Sequence, residues 1–234
     1  MDAENRYTRQ VLLSEIGENG QQALRHARVL LVGVGGLGSP IALALVGAGI
    51  GTLGIVDADV VSLTNLHRQL LYDERYLGLP KVEVAAERLG CLNSEVKIVP
   101  HTERLTRENA AQLVSGYDIV VDGCDNYATR FAMDEACAAA HIPYVYGAVR
   151  GFEGQVSVFN YGASPRRYID LYPEGNQDAA VTMDDRAIVS MTTGVVGNVM
   201  AEQVLKIVCG YAAPLAGQLW TIDLRSLQTL TFDF

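Results

Sequence analysis

The feature that most limits what this chain can become is the stretch VLLVGVGGLGSPIALALVGAGIGTLGIVDAD, residues 29 to 59. An apolar run, Val29 to Val32, enters a turn carrying Gly33, Gly35, Gly36 and Gly38, an Ala/Leu-rich segment follows, and a second apolar run, Thr52 to Val56, ends at Asp57. Strand, glycine turn, helix, strand and acidic residue in that order describe a βαβ unit that holds a nucleotide. Glycines let backbone N–H groups approach a phosphate, which then lies at the positive end of the following helix. Asp57 falls at the spacing at which a carboxylate binds ribose hydroxyls.

At 234 residues the chain has the length for one large α/β domain, read here as a single unit over 1–234. A net charge of −9 without any Lys/Arg cluster argues against nucleic acid or an anionic membrane as the main partner. The polar start MDAENRYTRQ has no apolar core of a signal peptide, and Ile41 to Ile50 is too short to span a bilayer, so a cytoplasmic protein is expected. Cys91, Cys124, Cys137 and Cys209 show no Cys-x-x-Cys spacing and define neither a disulfide framework nor a zinc site.

Around the βαβ unit, residues 6–26 carry helical spacing broken at Gly17 and Gly20, which predicts one or two short helices. VKIVPH, YDIVVDGCDN and IPYVYGAVRG read as further strands, with TRENAAQLVSG and NYATRFAMDEACAAAH as helices between them. EGQVSVFNY alternates and follows a short Gly-containing turn, so it is expected to run antiparallel. Residues 162–186 are polar and Pro/Gly-bearing without a period, and are expected to form a mobile crossover loop. IVSMTTGVVGNVMAEQVLKIVCGY then predicts an apolar helix in which Gly194 and Gly197 permit close packing, and QLWTIDL and SLQTLTFDF close the chain as strands joined near Arg225.

The polar residues beside the unit decide between nucleotides. A nicotinamide enzyme needs this loop only for adenosine, so Asn65, Arg68 and Gln69 would be surplus there, whereas an Arg neutralises phosphate charge bidentately. Pro80 opens a helix and leaves Lys81 in its first turn, where the dipole disfavours a cation and an anionic partner is needed. Asp122 and Asp125 end a parallel strand where open α/β sheets place ligands; one of them would suit Mg²⁺, and Asp125 or Asn126 would otherwise serve as a helix cap.

Taken together and in order, RYTRQ, GVGGLGSP, DAD, SLTNLHRQ, PKVE and DGCDN closely resemble the ThiF/MoeB/HesA family, bacterial relatives of ubiquitin-activating enzymes. The resemblance spans Arg6 to about Leu224 and implies a Rossmann-like, mostly parallel sheet extended by antiparallel C-terminal strands, with helices on both faces. It implies adenylation, by ATP with Mg²⁺, of the C-terminal glycine of a ubiquitin-like sulfur carrier of the ThiS or MoaD type, for thiamine or molybdopterin synthesis. Residue by residue, Gly33, Gly35, Gly36 and Gly38 would lie on the nucleotide, Asp57 on the ribose, Asn65, Arg68 and Lys81 on the triphosphate, and Asp125 on Mg²⁺. Arg9 matches a family arginine that serves the other subunit's site, which implies a homodimer.

Two departures stand out. The first Cys-x-x-Cys pair of many relatives would fall at Arg167 to Asp170, so zinc is not expected, and an Arg167–Asp170 ion pair would replace it only weakly. The cysteine that ThiF-like enzymes carry on the crossover corresponds to Met183, which leaves the acyl-adenylate as the end point or points to a peptide or other carboxylate as substrate. A nicotinamide-dependent oxidoreductase and a non-catalytic scaffold are the remaining alternatives, both disfavoured by the charged set.

Overall fold

The computed structural model describes residues 6–173 and 187–234. Its strands are β1 (Arg28–Val32), β2 (Thr52–Val56), β3 (Lys97–His101), β4 (Ile119–Asp122), β5 (Tyr144–Arg150), β6 (Glu153–Phe159), β7 (Gln218–Asp223) and β8 (Gln228–Asp233). They form one sheet in the order β3-β2-β1-β4-β5-β6-β7-β8. The first five are parallel and the last three antiparallel, as expected from the sequence. The reversal comes where Arg150 pairs with Glu153 across the two-residue turn Gly151–Phe152. The registers Val32↔Val56 and Val32↔Asp122 bring the carboxyl ends of β1, β2 and β4 side by side, so whatever follows each strand meets the others.

Successive residues of a strand face opposite sides, and both sides of β1 are buried. Val29 and Leu31 join a core under α2 (Gly17–His26), α3 (Gly38–Ala48), α4 (Lys81–Leu92) and α8 (Ser190–Cys209). Leu30 and Val32 join a second core with α5 (Ala110–Val114), α6 (Tyr127–Ala140) and α7 (Tyr168–Leu171). Helices therefore cover both faces, as a parallel sheet requires.

Three local expectations are revised. The helix expected over TRENAAQLVSG shortens to α5, because Asn109 turns its side chain on the preceding loop: Oδ1 accepts from Thr106 N at 2.7 Å and Nδ2 donates to the Arg104 carbonyl at 2.9 Å. That local bonding competes with helix formation. The span expected as a structureless crossover carries a helix: α7 lies within 162–173, and Tyr168 is fully buried against Phe131, Tyr144, Tyr146 and Phe159. Residues 174–186, with Met183, lie outside the described residues.

The third revision concerns α8. Gly197 lies against α3, where a Cβ would stand 2.6 Å from Pro40 Cγ and 3.0 Å from the Leu37 carbonyl oxygen. Gly194 faces open space, so only Gly197 acts as a packing glycine. Gly197→Ala is expected to cost about 1–2 kcal/mol through overpacking, whereas Gly194→Ala should gain about 0.5–1 kcal/mol from helix propensity alone. Urea unfolding of both variants checks this, and a Gly197→Ala protein as stable as its parent would contradict the packing assignment.

Candidate nucleotide site

The site is assembled around a point where three glycines touch. Gly33 has φ +89°, a conformation that suits glycine, and a Cβ there would stand 2.6 Å from the Gly123 carbonyl oxygen. A Cβ on Gly38 would lie 2.1 Å from the Gly33 carbonyl oxygen, and one on Gly123 would lie 2.3 Å from that same atom. The turn after β1 is thereby pressed against both the first turn of α3 and the DGCDN segment after β4. Its backbone is completed by Gly33 N–H donating to the Val56 carbonyl and Gly123 N–H to the Val32 carbonyl, each at 2.7 Å.

Asp57 shapes the same turn from the side. Its Oδ2 accepts from Val34 N at 3.0 Å and its Oδ1 from Asp59 N at 2.9 Å, so both oxygens brace backbone while keeping free lone pairs. The Tyr72 hydroxyl donates to the Val34 carbonyl at 2.8 Å, and burial, followed by the nearby Asp57 charge, pushes its pKa well up. Tyr72 was not singled out in the sequence; only the folded loop carries it back onto the turn.

Lys81 is where the sequence placed it, at the first position of α4 and 4% exposed. Its counter-ion is Asp59, the second acid of DAD, at 3.2 Å, and its backbone N–H also donates to the Asp59 carbonyl at 2.9 Å. Asp59 is itself 59% exposed at the side chain and stands 3.8 Å from Arg104, so neither group belongs to a sealed pair. The need of a helix-start lysine for an anion pointed to such a partner; its address did not follow from the spacing.

Arg68 lies along the turn, its Cδ 3.6 Å from where a Cβ on Gly36 would be, with Nη1 donating to the Thr64 carbonyl at 3.2 Å and close to His67 Nε2 at 2.8 Å. None of the described carboxylates pairs with it. Thr193 of α8 also stands over Gly36, its Cγ2 3.2 Å from where a Cβ there would be, a neighbour not expected from the sequence. Asn65 ends a short 3₁₀ turn, and its carbonyl accepts from Arg68 N and Gln69 N at 3.0 Å each, fixing where those side chains start.

The two acids after β4 have separate duties. Asp122 is fully buried and already committed to the fold, accepting from Arg130 Nε at 3.1 Å, the Tyr144 hydroxyl at 2.9 Å and Cys124 N at 2.9 Å, so it is a poor candidate for a metal. Arg130 stays charged: burial, the largest influence, works against its charge but is outweighed by Asp122 together with Cys124, Tyr146 and Tyr144, and its Nη2 also donates to the Cys124 carbonyl at 3.1 Å. Burial pushes the Cys124 thiol well up, with the Asp122 charge adding to it, so this cysteine is no reactive thiolate. Asn126 is the cap of α6, accepting from Thr129 N at 2.9 Å. That leaves Asp125 exposed between two pinned neighbours, its carboxylate paired with none of the described residues.

This chemistry fits a magnesium nucleotide. No group of three or more His, Cys, Asp or Glu suited to a metal occurs among the described residues, and Mg²⁺ needs only one or two carboxylates together with phosphates and water. The buried Oγ of Ser39 in the first turn of α3 and Oε1 of Gln69 also have no hydrogen-bond partner among the described residues.

Arg9 is not part of this cluster. It is exposed on α1 (Thr8–Val11), which is fastened to the far end of α3 by Gln10 Nε2 donating to the Ala48 carbonyl at 3.0 Å and by Tyr7 packing on Gly49. The eleven residues of α3 put roughly 16 Å between that end and the glycine turn. At the crossover, the expected Arg167–Asp170 ion pair does not form. Arg167 Nη2 pairs with the buried Asp134 at 2.8 Å, while Asp170 accepts from Arg167 N at 2.8 Å as a helix-start cap. The geometry prefers this because Asp134, whose pKa is raised by burial, gains more from a cation than the exposed Asp170.

The ThiF family model matches residues 7–234. The chain is 46% identical over 219 residues to "Adenylyltransferase and sulfurtransferase MOCS3" of Aedes aegypti, covering 93% of this chain and 50% of that protein. It is 40% identical over 224 residues to "Sulfur carrier protein adenylyltransferase" of Thermus thermophilus, covering 94% and 83%. The chain thus spans about half the length of the MOCS3 relatives it matches. Among solved structures, E. coli MccB with ATP superimposes with a TM-score of 0.86 at 23% identity over 98% of this chain and 72% of MccB. PaaA does so with a TM-score of 0.83 at 24% identity, covering 97% and 72%; likeness at these identities shows a shared fold.

Asp122→Asn should leave the Arg130 charge buried without its partner and cost about 3–5 kcal/mol. Asp125→Asn, an exposed change, should leave stability within about 0.5 kcal/mol of the parent. Chemical denaturation separates the two, and equal losses would contradict the division of duties between these acids.

Proposed function

The chain belongs to the ThiF family, and we propose that it uses ATP to adenylate the C-terminal carboxylate of a ubiquitin-like sulfur carrier of the ThiS or MoaD type. The observation that carries this reading is the unspent charge around the glycine turn. Arg68 has no carboxylate and Asp125 no cation among the described residues, while Lys81 answers only to a largely exposed Asp59. A cofactor bound through its adenosine half would leave these groups idle, whereas a triphosphate with its metal uses all of them. The 40% identity to a sulfur carrier protein adenylyltransferase supports the choice of carrier over a free peptide.

The chemistry asks little of acids or bases. A C-terminal carboxylate is ionised at neutral pH and is already a nucleophile. Its oxygen forms a bond to the α-phosphorus, the bond to the bridging oxygen breaks, and pyrophosphate departs with the electron pair, leaving an acyl-adenylate. The protein has to bring two anions together and stabilise charge moving onto the leaving group. Arg68 and Lys81 take the phosphates, the glycine turn presents N–H groups, and Asp57 holds the ribose while bracing the turn. Mg²⁺, held through Asp125, neutralises phosphate charge when bound.

No cysteine lies between Cys137 and Cys209, so these residues supply no crossover thiol, and the reading ends at the adenylate with sulfur delivered by another group. Arg9, remote from its own chain's cluster, serves the site of a second copy in a homodimer.

With a cognate carrier, Arg68→Ala and Asp125→Asn should each lower ATP–pyrophosphate exchange at least about a hundredfold without a change in melting; exchange at the parent rate in either would refute the assignment. Mixing Arg9→Ala with Asp125→Asn protein, each inactive alone, should restore roughly a quarter of parent activity, because half of the dimers are then mixed and each has one intact site. No recovery after subunit exchange would mean that Arg9 does not act across the dimer.

A further inference from the structure

Gln69 is 4% exposed, yet its amide is unused. The backbone of this residue is satisfied locally, its N–H donating to the Asn65 carbonyl at 3.0 Å and its carbonyl accepting from Tyr72 N at 3.1 Å. The side chain has no such partner among the described residues. Its Oε1 is buried without a hydrogen bond, and Nε2 donates to none of the described residues. The carbonyl Oε1 has nothing to offer an anion, but Nε2 carries two N–H donors that an acceptor entering the turn can take. The amide also has a defined address: Nε2 lies 3.2 Å from where a Cβ on Gly35 would be, so the missing side chain of that glycine is what makes room for it. Arg68, the residue before it, occupies the equivalent place on Gly36. A cation and a neutral donor are therefore laid on adjacent glycines of the phosphate turn.

We propose that Gln69 is a nucleotide-contacting residue whose Nε2 donates to a phosphate oxygen of ATP beside the Arg68 guanidinium. The inference rests on the reading that this chain binds ATP. Carbon at this position would fill the space equally well, and packing alone would favour it, because a buried amide without partners costs stability while an isosteric apolar chain does not. The polar group earns its place only when an acceptor enters the turn. A neutral donor is suited to a cradle that already holds a cation, since it adds a directed hydrogen bond without bringing a further charge to be desolvated.

Gln69→Met keeps the length and volume and removes the amide; Gln69→Glu keeps the shape and replaces the donor with a carboxylate. MgATP affinity of both variants and the parent is measured by calorimetry, with thermal unfolding in the absence of nucleotide as a control. Gln69→Met should melt no lower than the parent and bind MgATP about tenfold or more weakly, the loss expected for a hydrogen bond to a charged acceptor. Gln69→Glu should bind more weakly still, because it sets a negative charge against the phosphates. MgATP binding by Gln69→Met within about twofold of the parent, or by Gln69→Glu as tight as the parent, overturns the proposal. A parent protein that does not bind MgATP overturns the adenylation reading and this inference together, whereas parent binding with indifferent variants overturns this inference alone.

Discussion

Everything at the carboxyl end of this sheet depends on backbone touching backbone at Gly33. Its carbonyl oxygen occupies the space that side chains on Gly38 and Gly123 would need, at 2.1 and 2.3 Å from their Cβ positions. Because no side chain intervenes, the turn after β1, the first turn of α3 and the loop after β4 become one continuous surface of peptide groups. A surface of that kind can offer several N–H donors to one anion, which a site built from side chains alone does less economically. The charged residues come from segments far apart in the chain: Arg68 and Lys81 follow β2, and Asp125 follows β4.

Charge in the site is divided between groups that are spent on the fold and groups that are held available. Asp122 and Arg130 neutralise each other in the interior and pin Cys124 through both its N–H and its carbonyl. Asp57 braces the glycine turn and the DAD turn at once. With those loops braced, Arg68 and Asp125 have no partners of opposite charge among the described residues and are still held in place by their neighbours. Binding then costs little reorganisation, which is the condition under which electrostatic stabilisation is most effective.

The C-terminal half supports this arrangement from the opposite side. The aromatic cluster of Phe131, Tyr144, Tyr146, Phe159 and Tyr168 fills the second core, and two of its members also bond polar groups: Tyr144 to Asp122 at 2.9 Å, and Tyr146, which accepts from Gln155 Nε2 at 2.6 Å. Tyr168 links the start of the crossover to that core, and Asp134 bonds its backbone N–H at 2.8 Å. Two buried carboxylates thus hold the two segments, Asp122 the loop after β4 and Asp134 the start of the crossover, with Tyr144 and Tyr168 in ring contact between them.

The strand–glycine–helix–strand order, the antiparallel turn at Gly151 and the polar residues of the SLTNLHRQ segment were legible in the chain because each rests on local rules: side-chain period, glycine permissiveness, and the charge a phosphate demands. The same rules could not say which of Asp122 and Asp125 stays free, since both stand at the end of one strand and only the buried Arg130 and Tyr144, arriving from α6 and β5, distinguish them. Nor could they identify Asp59 as the companion of Lys81, Tyr72 as a prop of the turn, or Gln69 as an unused amide, because these depend on which segments meet after folding. By itself the sequence determined the architecture and pointed to a nucleotide as the ligand. Only the tertiary structure decided which charges are consumed by the fold and which remain for the ligand, because burial and partnership are properties of neighbours in space and not of neighbours in the chain.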